Sequence, residues 1–347
     1  KQARELFPIL HEWGIVGVKS GFVQYASHRW ATWLHDLVRL AAESHLLMNI
    51  HDEFRPSGFS RTYPNLLTQE GILGNEEFPD ATHNTILPFT RMINGAADYT
   101  ICYYDERLKN THAHQLAASL VFYSPLQTLF WYDKPSAYRG EPEIEWFENL
   151  PTIFDDSKVL SGHPGKGIVM ARRKEKEWFV GLLTNNDGAE EDVPLSFLEE
   201  GKTYLAQIYT DGGEEVKTRT HVKCVYKRVN ASQVLKFRLR PRGGAAIHLR
   251  EINREETRQY KKYKGYNGCI VINSVKTQTG LRVYAASFVY NHIRVNGNVI
   301  YGSHDKQVGN NEEGESMEES GICFRDSRLF ARPGTEKDFC PSGYHLH

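Results

Sequence analysis

The chain has 347 residues, with 42 Lys and Arg against 43 Asp and Glu, 40% hydrophobic residues and 12% aromatics. That length suits two or three domains, and the composition can bury a core, which excludes global disorder. A formal net charge of −1 lacks the footprint of a dedicated nucleic-acid binder, and no apolar run reaches the roughly 18 to 20 residues of a membrane span.

Residues 1–14 read as the end of a helix rather than a signal peptide, and they start without Met, so the true N-terminus is expected upstream. Residues 14–22 (GIVGVKSGF) predict a strand. Residues 30–47 predict a helix, because Trp30, Trp33, Leu34, Leu37, Val38, Ala41 and Ala42 recur at helical spacing. Residues 46–51 (LLMNIH) predict a second, buried strand. Residues 97–104 (ADYTICYY) predict a third, 111–123 a helix, and 124–131 a fourth strand. The longest apolar stretch, 116–131, is interrupted by Ser124, Pro125 and Gln127.

Alternating strands and helices argue for βα units with a parallel sheet over residues 1–150. Each strand ends in polar residues: Lys19 and Ser20, then His51, Asp52 and Glu53, then Asp105. In a (β/α)8 barrel those strand ends carry the active site, but four strands are half of a fold of about 250 residues. The expected fold class is α/β plus all-β: a TIM-type barrel truncated at its N-terminus, followed by an antiparallel β-sandwich. The sandwich is expected over 151–252, from runs such as GIVMARRK, EWFVGLLTN, DVPLSFL, KTYLAQIYTD, HVKCVYKRV and VLKFRLRP. Turn signals separate these runs, at Asn186-Asp187-Gly188 and Asp211-Gly212-Gly213. Residues 253–347 stay unassigned, as a tail or small appended domain, with a charged linker at 253–264 and a mobile acidic loop at 309–320.

Five cysteines (Cys102, Cys224, Cys269, Cys323, Cys340) include no CxxC pair, which argues against zinc. A Cys323–Cys340 disulfide and free thiols both stay open. His112 and His114, two apart on one helix, face different directions and make a poor metal pair. Asp98, Asp105 and Arg91 read as structural, and Trp131 and Tyr132 as core or as a sugar-stacking surface.

The densest polar cluster begins at HDEFRPSGFSR (51–61). A long loop with Glu70, Glu76, Glu77 and Asp80 follows it. Paired carboxylates suit glycoside hydrolysis, in which one protonates the leaving oxygen and the other activates water or attacks carbon. They also suit calcium, a hard cation that takes several oxygen ligands. A solvated acidic loop is the competing reading, since acids are common in loops.

The run HDEFRPSGFSRTYPNLLTQEGILGNEEFPDATHNTILPFTRMINGAADYT (51–100) resembles the core motif of glycoside hydrolase family 97, the family of SusB-like α-glucosidases. SPLQ at 124–127 and the GKGIVMARR…WFVGLLTN opening of the sandwich fit the same pattern. The resemblance implies a catalytic barrel with an N-terminal β-sandwich, a small C-terminal sandwich, one calcium ion, and oligosaccharide or α-glycoside substrates, glucosides or galactosides. It also implies a periplasmic or secreted enzyme. Glu76 matches the general acid, Glu70 a calcium ligand, and Asp52 the base and a further ligand, with Glu76 completing the metal set. Inverting members place a glutamate at the position of Asp52, so Glu53 next door is the alternative base. Lys19 and His51 match sugar-contacting positions.

Retaining members carry an aspartate nucleophile two residues after the strand lysine, where this chain has Gly21. The resemblance therefore implies inversion, with acid and base roughly 6.5–9.5 Å apart. The expected function is a calcium-dependent α-glucosidase. A carbohydrate-binding fragment without catalysis and an α-galactosidase are the alternatives. Because the family's N-terminal domain and first barrel strands have no counterpart here, residues 1–347 alone are expected to show little turnover.

Overall fold

The computed structural model describes residues 2–22, 27–52 and 54–263, together with six strands between residues 273 and 324. The chain divides into two compact units, Lys1–Gly265 and Tyr266–His347.

The first unit opens with a parallel βα layer. Helix α1 (Gln2–Glu12) and strand β1 (Gly17–Ser20) precede helix α2 (His28–Glu43), strand β2 (Leu47–Ile50) and strand β3 (Leu66–Gln69). Ser27 caps α2 by accepting the Trp30 N–H at 3.3 Å. Leu34, Leu37, Val38 and Ala41 then recur on one face, and that face is buried with Leu46, Met48 and Ile50. The three strands pair in parallel in the order β1-β2-β3, with Lys19 opposite Asn49 and Ile50 opposite Gln69. Their C-terminal ends therefore lie along one edge.

Strand β3 lies inside the stretch expected to be a long loop. Conversely, the strands expected at 97–104 and 124–131 contract to one isolated parallel bridge, Ile101 to Leu129. Thr100 and Phe130 explain the contraction. Both adopt positive φ, 59° and 57°, which an extended strand excludes. Up to residue 150 the described residues thus hold three parallel strands and this one bridge.

Further along, Asp80 caps the short helix α3 (Ala81–Asn84) through the His83 N–H at 2.8 Å. Thr111 caps helix α4 (His112–Val121) through the His114 N–H at 3.2 Å. Every residue of α4 from Ala113 to Val121 is buried. Helix α5 (Glu145–Asn149) follows, with Trp146 fully buried.

Eight antiparallel strands complete the unit: β4 (Asp156–His163), β5 (Gly167–Lys174), β6 (Glu177–Thr184), β7 (Ala189–Pro194), β8 (Tyr204–Asp211), β9 (Val222–Val229), β10 (Val234–Leu239) and β11 (Gly244–Glu251). Six form a sheet in the order β4-β5-β6-β11-β8-β9, and β7 pairs with β10 as a separate ribbon. The sequence runs locate most of these strands, but not β4 or β11. The run at DVPLSFL falls across the end of β7.

Alternation along each strand sends side chains to opposite faces. Val169, Ala171, Val180, Leu182, Ile247 and Leu249 meet Val193, Leu235 and Leu239 of the ribbon in one core. Ile168, Phe179, Leu183, Tyr209 and Ala246 meet α4, Tyr99, Ile101 and Trp146 in another. The large sheet is therefore covered on both faces, by the ribbon on one side and by α4 on the other. Gly181 lets α4 come this close: a Cβ there would sit 3.0 Å from the Ala117 carbonyl oxygen and 3.1 Å from Val121 Cγ2.

Residues 253–263, expected to be a linker, are bonded onto this sheet. They contain helix α6 (Glu256–Gln259), and the Tyr263 N–H donates to the Arg228 carbonyl at 2.8 Å. In the second unit, β12 (Asn273–Lys276) pairs with β13 (Arg282–Ala285) and β14 (Ile293–Val295) with β15 (Asn298–Ile300). Strand β16 (Gly302–Asn310) pairs with β17 (Ser316–Phe324). The loop expected at 309–320 is thus partly strand. Cys269 and Cys340 lie outside the described residues, and Cys102 and Cys224 are free thiols.

Candidate active site

Because β1, β2 and β3 run parallel, the residues at or just past their ends gather: Lys19 and Ser20, His51 and Asp52, Gln69 and Glu70. A 3-10 turn, Asn75–Glu77, adds Glu76. Its position is fixed by the Asn75 N–H, which donates to the Tyr99 carbonyl at 2.8 Å. Gly74 allows the turn to lie on Glu70, since a Cβ at that position would be 2.8 Å from Glu70 Oε1.

His51 is the centre of the cluster and is 3% exposed. Its Nδ1 lies 3.0 Å from Glu70 Oε2 and 3.5 Å from Glu76 Oε1, and its Nε2 lies 3.3 Å from Asp98 Oδ2. Thr100 Oγ1 is 3.2 Å from the same Nε2. Burial opposes the ring's charge, but hydrogen bonds to Asp98 and Glu70 outweigh it and hold the pKa at about 9. His51 is an imidazolium at neutral pH.

Asp98 is fully buried. Its Oδ2 accepts from Asn49 Nδ2 at 2.8 Å and from Thr128 Oγ1 at 2.6 Å, and its Oδ1 accepts the Thr128 N–H at 2.8 Å. Burial alone would raise its pKa, but hydrogen bonds from His51, Thr128 and Asn49 bring it below the usual carboxylate value. For Glu76 burial dominates, reinforced by Glu70 and Asp52 and opposed by His51 and Lys19, and the result is a raised pKa. One oxygen of Glu76, Oε1, is buried without a hydrogen-bond partner.

Asp52 adopts φ +64°, a left-handed conformation, and its N–H donates to Glu70 Oε2 at 2.6 Å. The strained residue is held by that bond at the mouth of a cleft of about 590 Å³. Asp52, Arg55, Glu70, Leu73, Glu76 and Glu77 line the cleft. Lys19 Nζ is buried without a hydrogen-bond acceptor and lies 3.9 Å from the centre of the Trp131 ring. Gly21 faces the same place, and a Cβ there would be 3.9 Å from Asp52 Oδ2.

Arg91 supports the cluster from behind. Its Nη2 donates to the carbonyls of Gln69 and Glu70 at 2.9 and 3.0 Å, and its Nη1 to that of Gly95 at 3.0 Å. This fixes the backbone at the end of β3. Burial without a carboxylate partner lowers its pKa to about 10.

Of the residues singled out in the sequence, Lys19, His51, Asp52, Glu70 and Glu76 are brought together, while Glu53 lies outside the described residues. Among the described residues, His51, Glu70 and Glu76 place metal-competent atoms within 4.8 Å of one another. The metal set expected from the sequence has Asp52 in place of His51. Asp98, read as structural, grips the central histidine directly. Its signal in the sequence is a charged residue inside an otherwise apolar run (ADYTICYY), a placement that needs a partner. His114 is no ligand: its Nδ1 is 3.0 Å from the Gly243 carbonyl and its Nε2 3.0 Å from Asn84 Nδ2.

Family models match two parts of the chain: glycoside hydrolase 97 over residues 1–72, and the glycosyl-hydrolase 97 C-terminal, oligomerisation domain over 153–250. A retaining alpha-galactosidase of Bacteroides thetaiotaomicron is 32% identical over 69% of this chain and 39% of its own length. A probable retaining alpha-galactosidase of Streptomyces bingchenggensis is 33% identical over 61% of this chain and 34% of its own. The chain thus spans about two fifths or less of these relatives' lengths. A solved family 97 enzyme from Pseudoalteromonas sp. strain K8, in complex with acarbose, superposes with a TM-score of 0.65 at 28% identity, covering 73% of this chain and 44% of that one. These matches flank and include the carboxylate cluster, and the chain belongs to glycoside hydrolase family 97.

Proposed function

We propose that the chain is part of a calcium-dependent enzyme that hydrolyses α-glycosides with inversion, with Glu76 as acid and Asp52 as base. Glu76 carries the reading: a carboxyl group on the cleft wall whose raised pKa lets it hold a proton for delivery. In this reading Glu76 protonates the glycosidic oxygen as its bond to the anomeric carbon breaks. Asp52 takes a proton from the water that attacks that carbon from the opposite face. Lys19 and the His51 imidazolium orient sugar hydroxyls and balance the charge of the carboxylates.

Gly21 supports inversion. Position 21 faces Asp52 but offers no carboxylate to form a covalent intermediate. The retaining enzymes named among the relatives favour a second reading, in which another carboxylate is the nucleophile and α-galactosides are the substrates. The parallel strands and the Ile101–Leu129 bridge are proposed to be the C-terminal part of a (β/α)8 barrel, in a periplasmic or secreted enzyme.

Glu70 and Asp52 would hold the calcium ion as carboxylates, and Glu76, which keeps its proton for delivery, would add only the oxygen that does not carry it. Their hard oxygen donors suit it, and Glu76 Oε1, buried without a hydrogen-bond partner and 3.5 Å from His51 Nδ1, is the oxygen of that residue placed for it. His51, protonated, is not a ligand in this set. When bound, calcium supplies positive charge that polarises and orients oxygen atoms in the cleft.

The test is hydrolysis of p-nitrophenyl α-glucoside and α-galactoside, with calcium or EDTA, by this chain and by a form extended to the length of its relatives. Calcium-dependent turnover that is lost in Glu76→Gln, with the β-anomer released first, supports the reading. Release of the α-anomer first would replace inversion with retention. Sugar binding without turnover in every form would reduce the protein to a binding module.

A further inference from the structure

A second cleft, of about 550 Å³, opens on the six-stranded sheet, lined by residues including Glu145, Asn149, Glu177, Tyr226, Arg250 and Tyr260. It shares no lining residue with the first. Its volume falls within the ~300–1,000 Å³ of small-molecule sites.

The floor of this cleft breaks the apolar pattern of its sheet face. Tyr226, Gln207, His248 and Phe179 are successive cross-strand partners on β9, β8, β11 and β6. Gln207 and His248 are 7% and 5% exposed, and they are joined by a 2.9 Å contact between His248 Nδ1 and Gln207 Oε1. The row continues at both ends. Gln207 Nε2 donates to Glu145 Oε1 at 3.2 Å, and His248 Nε2 lies 2.7 Å from Glu177 Oε2. His248 also stacks on Phe179, with centroids 4.4 Å apart.

Stability does not call for this row, because a matched apolar row under the same strands would be close to neutral or stabilising. What the row does is hold two carboxylates at fixed positions on the cleft wall. Beside them stand two tyrosine rings, Tyr226 and Tyr260, stacked at 6.5 Å and 28°. Tyr226 is 38% exposed. Arg250 adds a guanidinium, anchored on Glu256 at 2.8 Å.

This lining selects a chemical class. Two carboxylates against one guanidinium disfavour phosphates and other anions, and the polar floor disfavours an apolar ligand. A neutral polyol with an apolar C–H face satisfies both the rings and the planar hydrogen-bonding groups. We propose that this cleft is a second carbohydrate site, binding a short neutral oligosaccharide with one sugar face on Tyr226 and Tyr260 and its hydroxyls on Glu145, Asn149, Glu177 and Arg250.

The experiment titrates the full chain with panose and with raffinose, by calorimetry and by backbone amide shifts. The expected result is saturable binding of at least one sugar, with shifts at the amides of Gln207, Tyr226 and His248. Tyr260→Ala and Tyr226→Ala are expected to weaken binding about tenfold with unchanged melting, since both rings reach the surface. Lys19→Ala, in the other cleft, should leave these shifts in place. Absence of binding by both sugars overturns the proposal. So does binding that Lys19→Ala abolishes and both tyrosine variants keep, which would leave the catalytic reading intact.

Discussion

Asp98 and Glu70 hold His51 from opposite sides of its ring, at 3.3 Å from Nε2 and 3.0 Å from Nδ1. A histidine gripped this way is charged because of its neighbours, so its charge depends on Asp98. Its folded pKa of about 9 lies above the unfolded value of 6.5. The stabilisation it contributes is therefore complete below pH 6.5 and lost as pH rises through 9. In Asp98→Asn we expect the His51 titration, followed by imidazole NMR in EDTA, to move down toward 6.5. We also expect a stability loss of about 3 kcal/mol, as for a broken buried pair. An unmoved titration would show that Glu70 alone sets the charge.

Glu76→Gln keeps the shape of the turn but removes the proton to be delivered. In a turnover-competent form, we expect a fall of about 10²–10⁴-fold in kcat, the usual contribution of a general acid. The loss should be smallest with aryl glycosides, whose leaving groups depart with little protonation. A uniform loss across leaving groups would place Glu76 in metal binding rather than proton transfer.

Acid should loosen the seam between α4 and the sheet. His114 is fully buried and neutral, with Nδ1–H donating to the Gly243 carbonyl and Nε2 accepting from the Asn84 amide. Burial lowers its pKa to about 4 and, with Arg219 and His221, that of His112 to about 4 as well. Between pH 6.5 and 4 the unfolded chain binds the additional protons, so stability falls as pH falls through that window. Thermal melts across the window should show a drop in the parent that is larger by about one proton than in His114→Gln. Equal slopes would remove His114 from the cause.

Close approach at Gly181 also has a measurable cost when it is prevented. Gly181→Ala pushes a methyl group against the Ala117 carbonyl and Val121, and we expect a loss of about 1–3 kcal/mol in urea unfolding. Gly244→Ala should cost at least as much, since its Cβ would stand 2.8 Å from both His114 Cα and the Leu182 carbonyl oxygen.

The elements most legible in the sequence are those whose pattern is local. Helix α2 announces itself through Leu34, Leu37, Val38 and Ala41, and β5, β6 and β8 through apolar runs between turns. Strand β11 is missed because it opens with Gly244, Ala245 and Ala246, small residues of low strand propensity, and Gly244 is where α4 comes close, at His114 Cα. Residues 97–104 look like a strand but contribute one bridge, because Thr100 turns to positive φ. For the site, proximity in sequence exposes Asp52, Glu70 and Glu76. The role of Asp98 depends on Asn49, His51 and Thr128, which come from distant segments and meet only in the folded chain.

Helix α4 is buried on all sides, and the core it shares with the sheet also contains Tyr99 and Ile101 from the segment that follows the parallel layer and Trp146 from α5. The two parts within the first unit are thus not interchangeable modules. Exchanging the sheet for that of another protein, or cutting the chain near residue 150, would expose one wall of a common interior and leave Asp98 on an unsupported segment. Chimeras should therefore fail at a junction between α5 and β4.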